Sequence, residues 1–360
     1  MIREITVEEL VNLEKSVLVD VRSEGEYQEA TIPGALNLPL FNNEERAKVG
    51  TIYTQISPAL AREEGLRIVS PKLPDLINKA KQWSEQGSLV LFCWRGGMRS
   101  KSLATVIDLM GVPVYRLQGG YKSYRKKVVE FFDQELAFKV VVLRGNTGVG
   151  KTEILKQLRE DGYPAIDLEG LANNRGSVFG DVGLGAPPSQ KTFESSLYEE
   201  LKRVKAQRHS YIVVECESKR IGRVSLPNKF HQAMQEGTQV LVYDSIKNRV
   251  NRLLKEYANI SEAIPQIRAA LLRLDKNLGR KKLEEYKGLL EEKRLYEFTE
   301  NLLEYYDTLY RYPNESSADY AFNICQAIPE QATRELENYL DERMSEPSEA
   351  SLFGIRNSAK

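Results

Sequence analysis

Two short stretches carry residue types at spacings that could do chemistry. The first, Cys93-Trp94-Arg95-Gly96-Gly97-Met98-Arg99-Ser100, follows the apolar run Ser88–Phe92 and precedes a helical pattern. A thiol so placed meets a turn of backbone N–H groups and a helix N-terminus, both of which favour negative charge. Arg95 and Arg99 add two permanent cations, and Gly96 and Gly97 let the backbone curl inward. Together these groups stabilise charge on sulfur and offer an oxyanion a cradle beside it. A buried structural cysteine is the plainer alternative. Two arginines and two glycines so close to Cys93 argue against it.

The second stretch, Gly145-Asn146-Thr147-Gly148-Val149-Gly150-Lys151-Thr152, matches G-x-x-x-x-G-K-[ST] between a strand pattern, KVVVL, and a helical one. Gly145, Gly148 and Gly150 allow backbone N–H groups to wrap a phosphate, which Lys151 would contact at its terminal oxygens. Thr152 would hold a Mg²⁺ where one binds. ATP or GTP is the default ligand of such a loop. Its acidic partner is expected at the end of a later strand, where Glu215 and Glu217 stand as acid/base or Mg²⁺ partners. Asp is more usual there, so an ordinary ATPase geometry is weakened. Arg175 and Lys191, in the irregular stretches 168–180 and 187–194, are candidate phosphate contacts. Polar, glycine-bearing loops at the carboxyl ends of parallel strands are where α/β folds bind ligands. For these acidic and basic side chains, simple solvation is the alternative.

The elements that must position these groups alternate short apolar runs with helical stretches, the pattern of an α/β fold. Strands are expected at 16–21, 88–92 and 113–117, with helices at 73–86, 100–110 and 121–136. A second αβ series begins near residue 137, with strands at 138–143, 211–214 and 238–242. Beyond Lys247 only helices are expected. The anticipated organisation is 1–136 and 137–250 as two domains, 251–343 as a helical region and 344–360 as a frayed tail.

Composition sets limits. A chain of 360 residues fits two domains, and 41% apolar residues support globular folding. Lys plus Arg and Asp plus Glu both total 51, so there is no global basic field, although a local basic face stays open. Cys93, Cys216 and Cys325 form neither a disulfide framework nor a Cys-x-x-Cys metal pair. No tightly bound cofactor is expected. The first residues, MIREITVEEL, lack the apolar core of a signal peptide, and no run is long enough to span a bilayer. A cytoplasmic setting without membrane contact follows. Lys202, Arg203, Lys205 and Arg208, then Arg268, Arg273, Lys276 and Arg280–Lys282, interleave with Tyr286, Tyr296, Tyr305, Tyr306, Tyr310 and Tyr312. Such stretches can track RNA phosphates and stack bases, or form a solvated face over core tyrosines.

The Cys93 loop resembles that of the rhodaneses, with Cys93 and Arg99 spaced as in the active loop. Asp20-Val21-Arg22, Glu26-Tyr27 and Ile32-Pro33-Gly34-Ala35 resemble the early rhodanese signature, and Leu117-Gln118-Gly119-Gly120-Tyr121 the closing one. Thr31 stands where many such domains carry His. A rhodanese-like domain followed by a phosphate-loop domain resembles the bacterial tRNA 2-selenouridine synthases. LEGLANNRGSVFG, PSQKTFES and VVECESKRIG strengthen that likeness, with Asn174 a departure where His is expected. The resemblance implies an α/β fold and conversion of wobble 2-thiouridine in a tRNA anticodon loop to 2-selenouridine. The route runs through an S-geranyl intermediate, with geranyl diphosphate and selenophosphate as co-substrates. Lys151 would then stabilise the leaving diphosphate. Cys93, with Arg95 and Arg99, would receive selenophosphate, forming a perselenide or holding the anion. The rivals are an ATP-dependent tRNA sulfurtransferase and a non-catalytic nucleotide or sulfur sensor.

Overall fold

The structure, a computed structural model, describes residues 2–344 except 11, 12, 14, 259–262 and 275–277. The chain divides into two compact units that change over after Phe131.

In the first unit, β1 (Arg3–Ile5), β2 (Ser16–Asp20), β3 (Leu36–Asn37), β4 (Ser88–Phe92) and β5 (Val114–Leu117) form one sheet in the order β1-β5-β4-β2-β3. Every pairing is parallel. A parallel sheet is covered on both faces, so its central strand reads as a continuous apolar run. Leu89, Val90, Leu91 and Phe92 of β4 are accordingly all buried. Leu89 and Leu91 share a core with Leu103, Ala104 and Ile107 of helix Met98–Leu109 and with Leu76 and Ala80 of helix Leu73–Ser84. These elements match expectation to within two residues at their ends. The edge strand β1 does not follow from hydrophobic pattern, because only Ile5 of its three residues is buried.

The second unit contains β6 (Lys139–Arg144), β7 (Ala165–Ile166), β8 (Tyr211–Glu215), the two-residue strands β9 (Arg220–Ile221) and β10 (Val224–Ser225), then β11 (Thr238–Tyr243) and β12 (Phe322–Cys325). β9 and β10 pair as an antiparallel hairpin. The other five form a sheet in the order β12-β11-β6-β8-β7, again wholly parallel. Val141, Leu143, Val213, Val240 and Val242 pack with Ile154, Leu155 and Leu158 of helix Lys151–Glu160. A second core joins Phe179 and Val182 to Leu271, Leu274, Leu283, Tyr286, Leu289, Phe298 and Tyr306.

Against the expectation of helices alone beyond Lys247, β12 adds an edge to this sheet, pairing with β11 from Val240–Phe322 to Tyr243–Cys325. Helix Pro329–Met344 then returns Leu336 and Leu340 to the sheet's core. β12 escapes sequence reading for a physical reason. Among its four residues only Ile324 is fully buried, so FNIC presents neither an apolar run nor a clear alternation. Met344, placed in the expected tail, is a buried helical residue, and 345–360 lie outside the described residues.

Ile324→Ala should therefore destabilise the protein by about 2–5 kcal/mol, the usual cost of emptying a buried aliphatic site. Urea denaturation followed by far-UV circular dichroism measures it. A change within about 0.5 kcal/mol, typical of surface positions, would remove β12 from the core.

Candidate functional site

In the first unit the chemistry gathers at the carboxyl ends of β2 and β4. Asp20 closes β2 and is fully buried, where it needs a partner. Arg22 supplies one: Nε and Nη2 donate to the carboxylate at 3.0 and 2.7 Å, and Nη2 also donates to the Ala30 carbonyl at 2.6 Å. Thr31 Oγ1 donates to the same carboxylate at 2.8 Å, so the threonine at this departure has a structural partner. The Arg22 guanidinium lies 4.4 Å from the Tyr121 ring centroid, a stacked cation.

Cys93 follows β4 directly and is 3% exposed. Its Sγ receives the Ser100 hydroxyl at 3.4 Å, from the first turn of helix Met98–Leu109. The closing signature holds this loop. Tyr121 N–H donates to the Cys93 carbonyl and Lys122 N–H to that of Trp94, both at 2.9 Å. Gly120 sits at φ +61°, and a Cβ there would fall 2.2 Å from the Cys93 carbonyl oxygen, so only glycine fits. Arg116 Nη2 donates to the Gly96 carbonyl at 2.5 Å.

The two loop arginines divide. Arg95 is exposed and forms no ion pair among the described residues. Arg99, expected to face an incoming anion, is held by Glu26 in a bidentate pair, at 2.5 and 3.2 Å. Burial disfavours its charge, but the bond to Glu26 outweighs this and raises the guanidinium's pKa.

In the second unit Gly145–Thr152 joins β6 to helix Lys151–Glu160. Lys151 Nζ donates to the Gly145 and Asn146 carbonyls at 3.0 and 3.5 Å. Helix Ile246–Ala258 fixes the loop from outside, with Arg249 Nε donating to the Thr147 carbonyl at 2.9 Å and Arg252 Nη1 to that of Gly148 at 2.5 Å. Arg249 is itself paired to Asp307 at 2.6 Å. Asn146 Nδ2 donates to the Tyr312 carbonyl and to Asn314 Oδ1, both at 3.0 Å.

A cluster of carboxyls lies beside this loop. Glu215 ends β8 fully buried, accepting the Glu169 N–H on Oε1 at 2.7 Å, while Oε2 has no hydrogen-bond partner among the described residues. Glu217 shares a side-chain hydrogen bond with Glu169. Burial raises the pKa of all three; repulsion from Asp167 and Glu169 raises Glu215 further, and repulsion from Glu169 and Glu215 raises Glu217. Lys151 partly offsets this at Glu169 and Glu217. Thr152 Oγ1 donates to the Glu169 carboxylate at 3.5 Å, a contact that the strand-end argument for Glu215 and Glu217 does not include. Glu169 lies on the short helix Leu168–Ala172, where no strand pattern marks it.

Other expectations fare unevenly. Arg175 is paired with Glu256, donates to the Val182 carbonyl at 2.8 Å and lies 5.5 Å over Tyr257, so its charge is already engaged. Lys191 lies in the first turn of helix Gln190–Ala206, after the N-cap Ser189. Asn174 builds a turn, its Oδ1 accepting the Gly176 N–H at 3.0 Å. Sequence reading missed a group at the ends of β6 and β8: Arg144 Nη1 donates to Cys216 Sγ at 3.0 Å and to Tyr312 Oη at 3.3 Å.

Among the expected RNA contacts, Lys202, Arg203, Arg268 and Arg273 are paired with Glu199, Glu200, Glu291 and Asp181. Lys205, Arg208 and Arg280–Lys282 are exposed, and Lys276 lies outside the described residues. Tyr286 and Tyr306 belong to the core. Tyr306, Tyr310 and Tyr312 stack in sequence at 5.9 and 6.5 Å. Among the described residues no helix is long and apolar enough to cross a membrane.

With its pKa raised to about 10, Glu217 keeps in the folded state a proton that the unfolded chain releases above about pH 4.3. Stability in this unit should therefore fall as pH rises beyond that point. Glu217→Gln, which keeps the hydrogen-bonding shape without the ionisable proton, should flatten the fall in urea midpoint between about pH 6 and pH 9. An unchanged slope would place the titration elsewhere.

Two family models match the chain: a rhodanese-like domain over residues 6–127 and the AAA domain of tRNA 2-selenouridine synthase over 138–346. The tRNA 2-selenouridine synthase of Pseudomonas syringae pv. syringae (strain B728a) is 38% identical over 245 residues, covering 67% of this chain and 65% of that protein. The one from Pseudomonas savastanoi pv. phaseolicola (strain 1448A / Race 6) is 34% identical over 84% of this chain and 89% of its own length. That of Hydrogenovibrio crunogenus is 36% identical over 84% and 91%. With both units matched in order, the chain belongs to the tRNA 2-selenouridine synthase family.

Proposed function

We propose that this chain is an enzyme converting 2-thiouridine at the wobble position of tRNA to 2-selenouridine, with geranyl diphosphate and selenophosphate as co-substrates. The observation that carries the reading is the presence in one chain of both loops with their chemical residues in place, Cys93 after β4 and Lys151 after β6.

The first stage takes place at the phosphate loop. The thiouridine sulfur attacks C1 of geranyl diphosphate, a C–S bond forms, the C–O bond breaks, diphosphate leaves and the base loses its N3 proton. Charge grows on the leaving diphosphate, and preorganised donors aimed there lower the barrier. Lys151 and the amides of Gly145–Thr152 supply them. A Mg²⁺ on the diphosphate would find the Thr152 hydroxyl and the Glu169 carboxylate, the sparse protein donor set this ion uses when phosphate oxygens supply the rest.

The second stage begins at the Cys93 loop. Selenophosphate is a compact oxyanion, and Cys93, Arg95 and the amides before helix Met98–Leu109 would hold it, with Arg99, paired to Glu26, fixing the start of that helix. Its selenium attacks C2 of the S-geranyl base, the C–S bond breaks and geranyl thiol leaves with a proton. Water then cleaves the Se–P bond, releasing phosphate. Alkylation makes the sulfur a better leaving group, so this scheme needs no nucleoside triphosphate.

Cys93→Ala should abolish 2-selenouridine and leave S-geranyl-2-thiouridine accumulating, whereas Lys151→Ala should slow geranylation by about a hundredfold, as loss of one oxyanion donor does. Mass spectrometry of nucleosides from thiolated tRNA incubated with both co-substrates reads each step. Loss of both products in Cys93→Ala would break the division of labour. Sulfur entering unmodified tRNA with ATP instead would favour the sulfurtransferase.

A further inference from the structure

The hairpin β9–β10 follows β8 directly and carries Lys219, Arg220 and Arg223. All three are exposed, and among the described residues none forms an ion pair. The contrast is with Lys202, Arg203, Arg268 and Arg273, each neutralised by a carboxylate. Arg220 Nε bonds only within the turn, to the Gly222 carbonyl at 3.1 Å. Three cations within five residues repel one another, and only Arg223 feels an attraction to a carboxylate that is recorded, that of Asp181 at longer range than an ion pair; an anionic partner removes the remaining cost.

Contacts tie this hairpin to the phosphate loop. Its tip, Gly222, has φ +55°, and a Cβ there would meet Asn174 Nδ2 at 2.8 Å, so the tip rests on the Asn174 side chain. Asn174 Oδ1 holds the Gly176 N–H. Gly176 in turn lies against Glu169 and Glu217, which would sit 2.5 and 2.7 Å from a Cβ at that position. Glu169 reaches Thr152 of the loop. At its other end the hairpin is closed by the Leu226 N–H donating to the Lys219 carbonyl at 2.8 Å, and by Gln190, which bonds Ser225 through both amide ends. The cations are thus carried on a fixed ledge beside the phosphate loop. Lys205, Arg208 and Arg280–Lys282 are exposed as well, and the link to the loop sets the hairpin apart from them.

We propose that the β9–β10 hairpin is an RNA-docking ledge, in which Lys219, Arg220 and Arg223 hold the phosphodiester backbone of the substrate tRNA beside the phosphate loop. The juxtaposition carries a geometric purpose. Diphosphate and RNA are both polyanions, and a reaction between them needs separate cations for each. Lys151 serves the diphosphate and the hairpin serves the strand that brings the base. The ledge rests on the reading given above, since it needs tRNA as a substrate.

The test uses the full-length protein and a thiolated tRNA, with affinity measured by fluorescence anisotropy across a salt series. Replacing all three residues by glutamine should weaken binding on the order of tenfold or more and reduce the slope of log affinity against log salt by about 2–3, one contact for each lost charge. Lys219→Arg with Arg220→Lys and Arg223→Lys should keep the slope, because only charge is asked of these residues. Lys202→Gln with Arg203→Gln, at paired cations, should leave it unchanged. Circular dichroism and the affinity for inorganic diphosphate, both retained in the glutamine variant, establish that the fold and the phosphate loop survive. A glutamine variant that binds tRNA with wild-type affinity and slope overturns the ledge while sparing the proposed function. Wild-type protein that fails to bind the tRNA overturns both.

Discussion

Parallel strand pairing decides where chemistry can occur in this chain. Parallel strands place all their carboxyl ends along one edge of the sheet, and the loops that leave that edge are free to carry function. Asp20 and Arg22 follow β2, and Cys93 follows β4. In the second unit Gly145 follows β6, Glu169 comes just after β7, and Glu215 and Glu217 close β8. The central strands β4, β6 and β8 are largely apolar because they are buried on both faces, and the reactive polar residues come where these strands stop. Each unit therefore builds a site without interrupting its core.

The two edges solve the problem of charge differently. In the first unit the buried pair Asp20–Arg22 and the part-buried pair Glu26–Arg99 match their charges, and the exposed Arg95 has no ion pair among the described residues. In the second, three carboxyls lie close together in a buried setting, which disfavours their full ionisation and raises the pKa of each.

Legibility in the sequence follows from burial. β4 and β8 are unbroken apolar runs, and the sequence marks them plainly. β1, β7 and β12 are short edge strands; β1 and β12 bury one residue each, and β7, though buried, is only two residues long, so nothing in a local window distinguishes REI, AI or FNIC from loop. The two loops were legible because Cys93 and Lys151 each sit in a dense local motif. Glu169, Arg144 and Cys216 were not, because their significance depends on partners far away in the chain: Thr152 and Glu217 for the first, Tyr312 for the others. Arg175 misled for the same reason. A cation on a polar loop suggests a free ligand until Glu256 and Tyr257 are seen to hold it.

The late arrival of β12 has a consequence for how the molecule comes to exist. The sheet of the first unit is complete by Leu117, so that unit can close soon after its residues leave the ribosome. The second sheet cannot. Between Tyr243 and Phe322 the apolar strand β11 has an unpaired edge, a template for any strand of a neighbouring nascent chain. Because pairing across so long a loop is slow, this open edge, and not the Cys93 or phosphate loop, sets the interval during which the chain is most prone to aggregate.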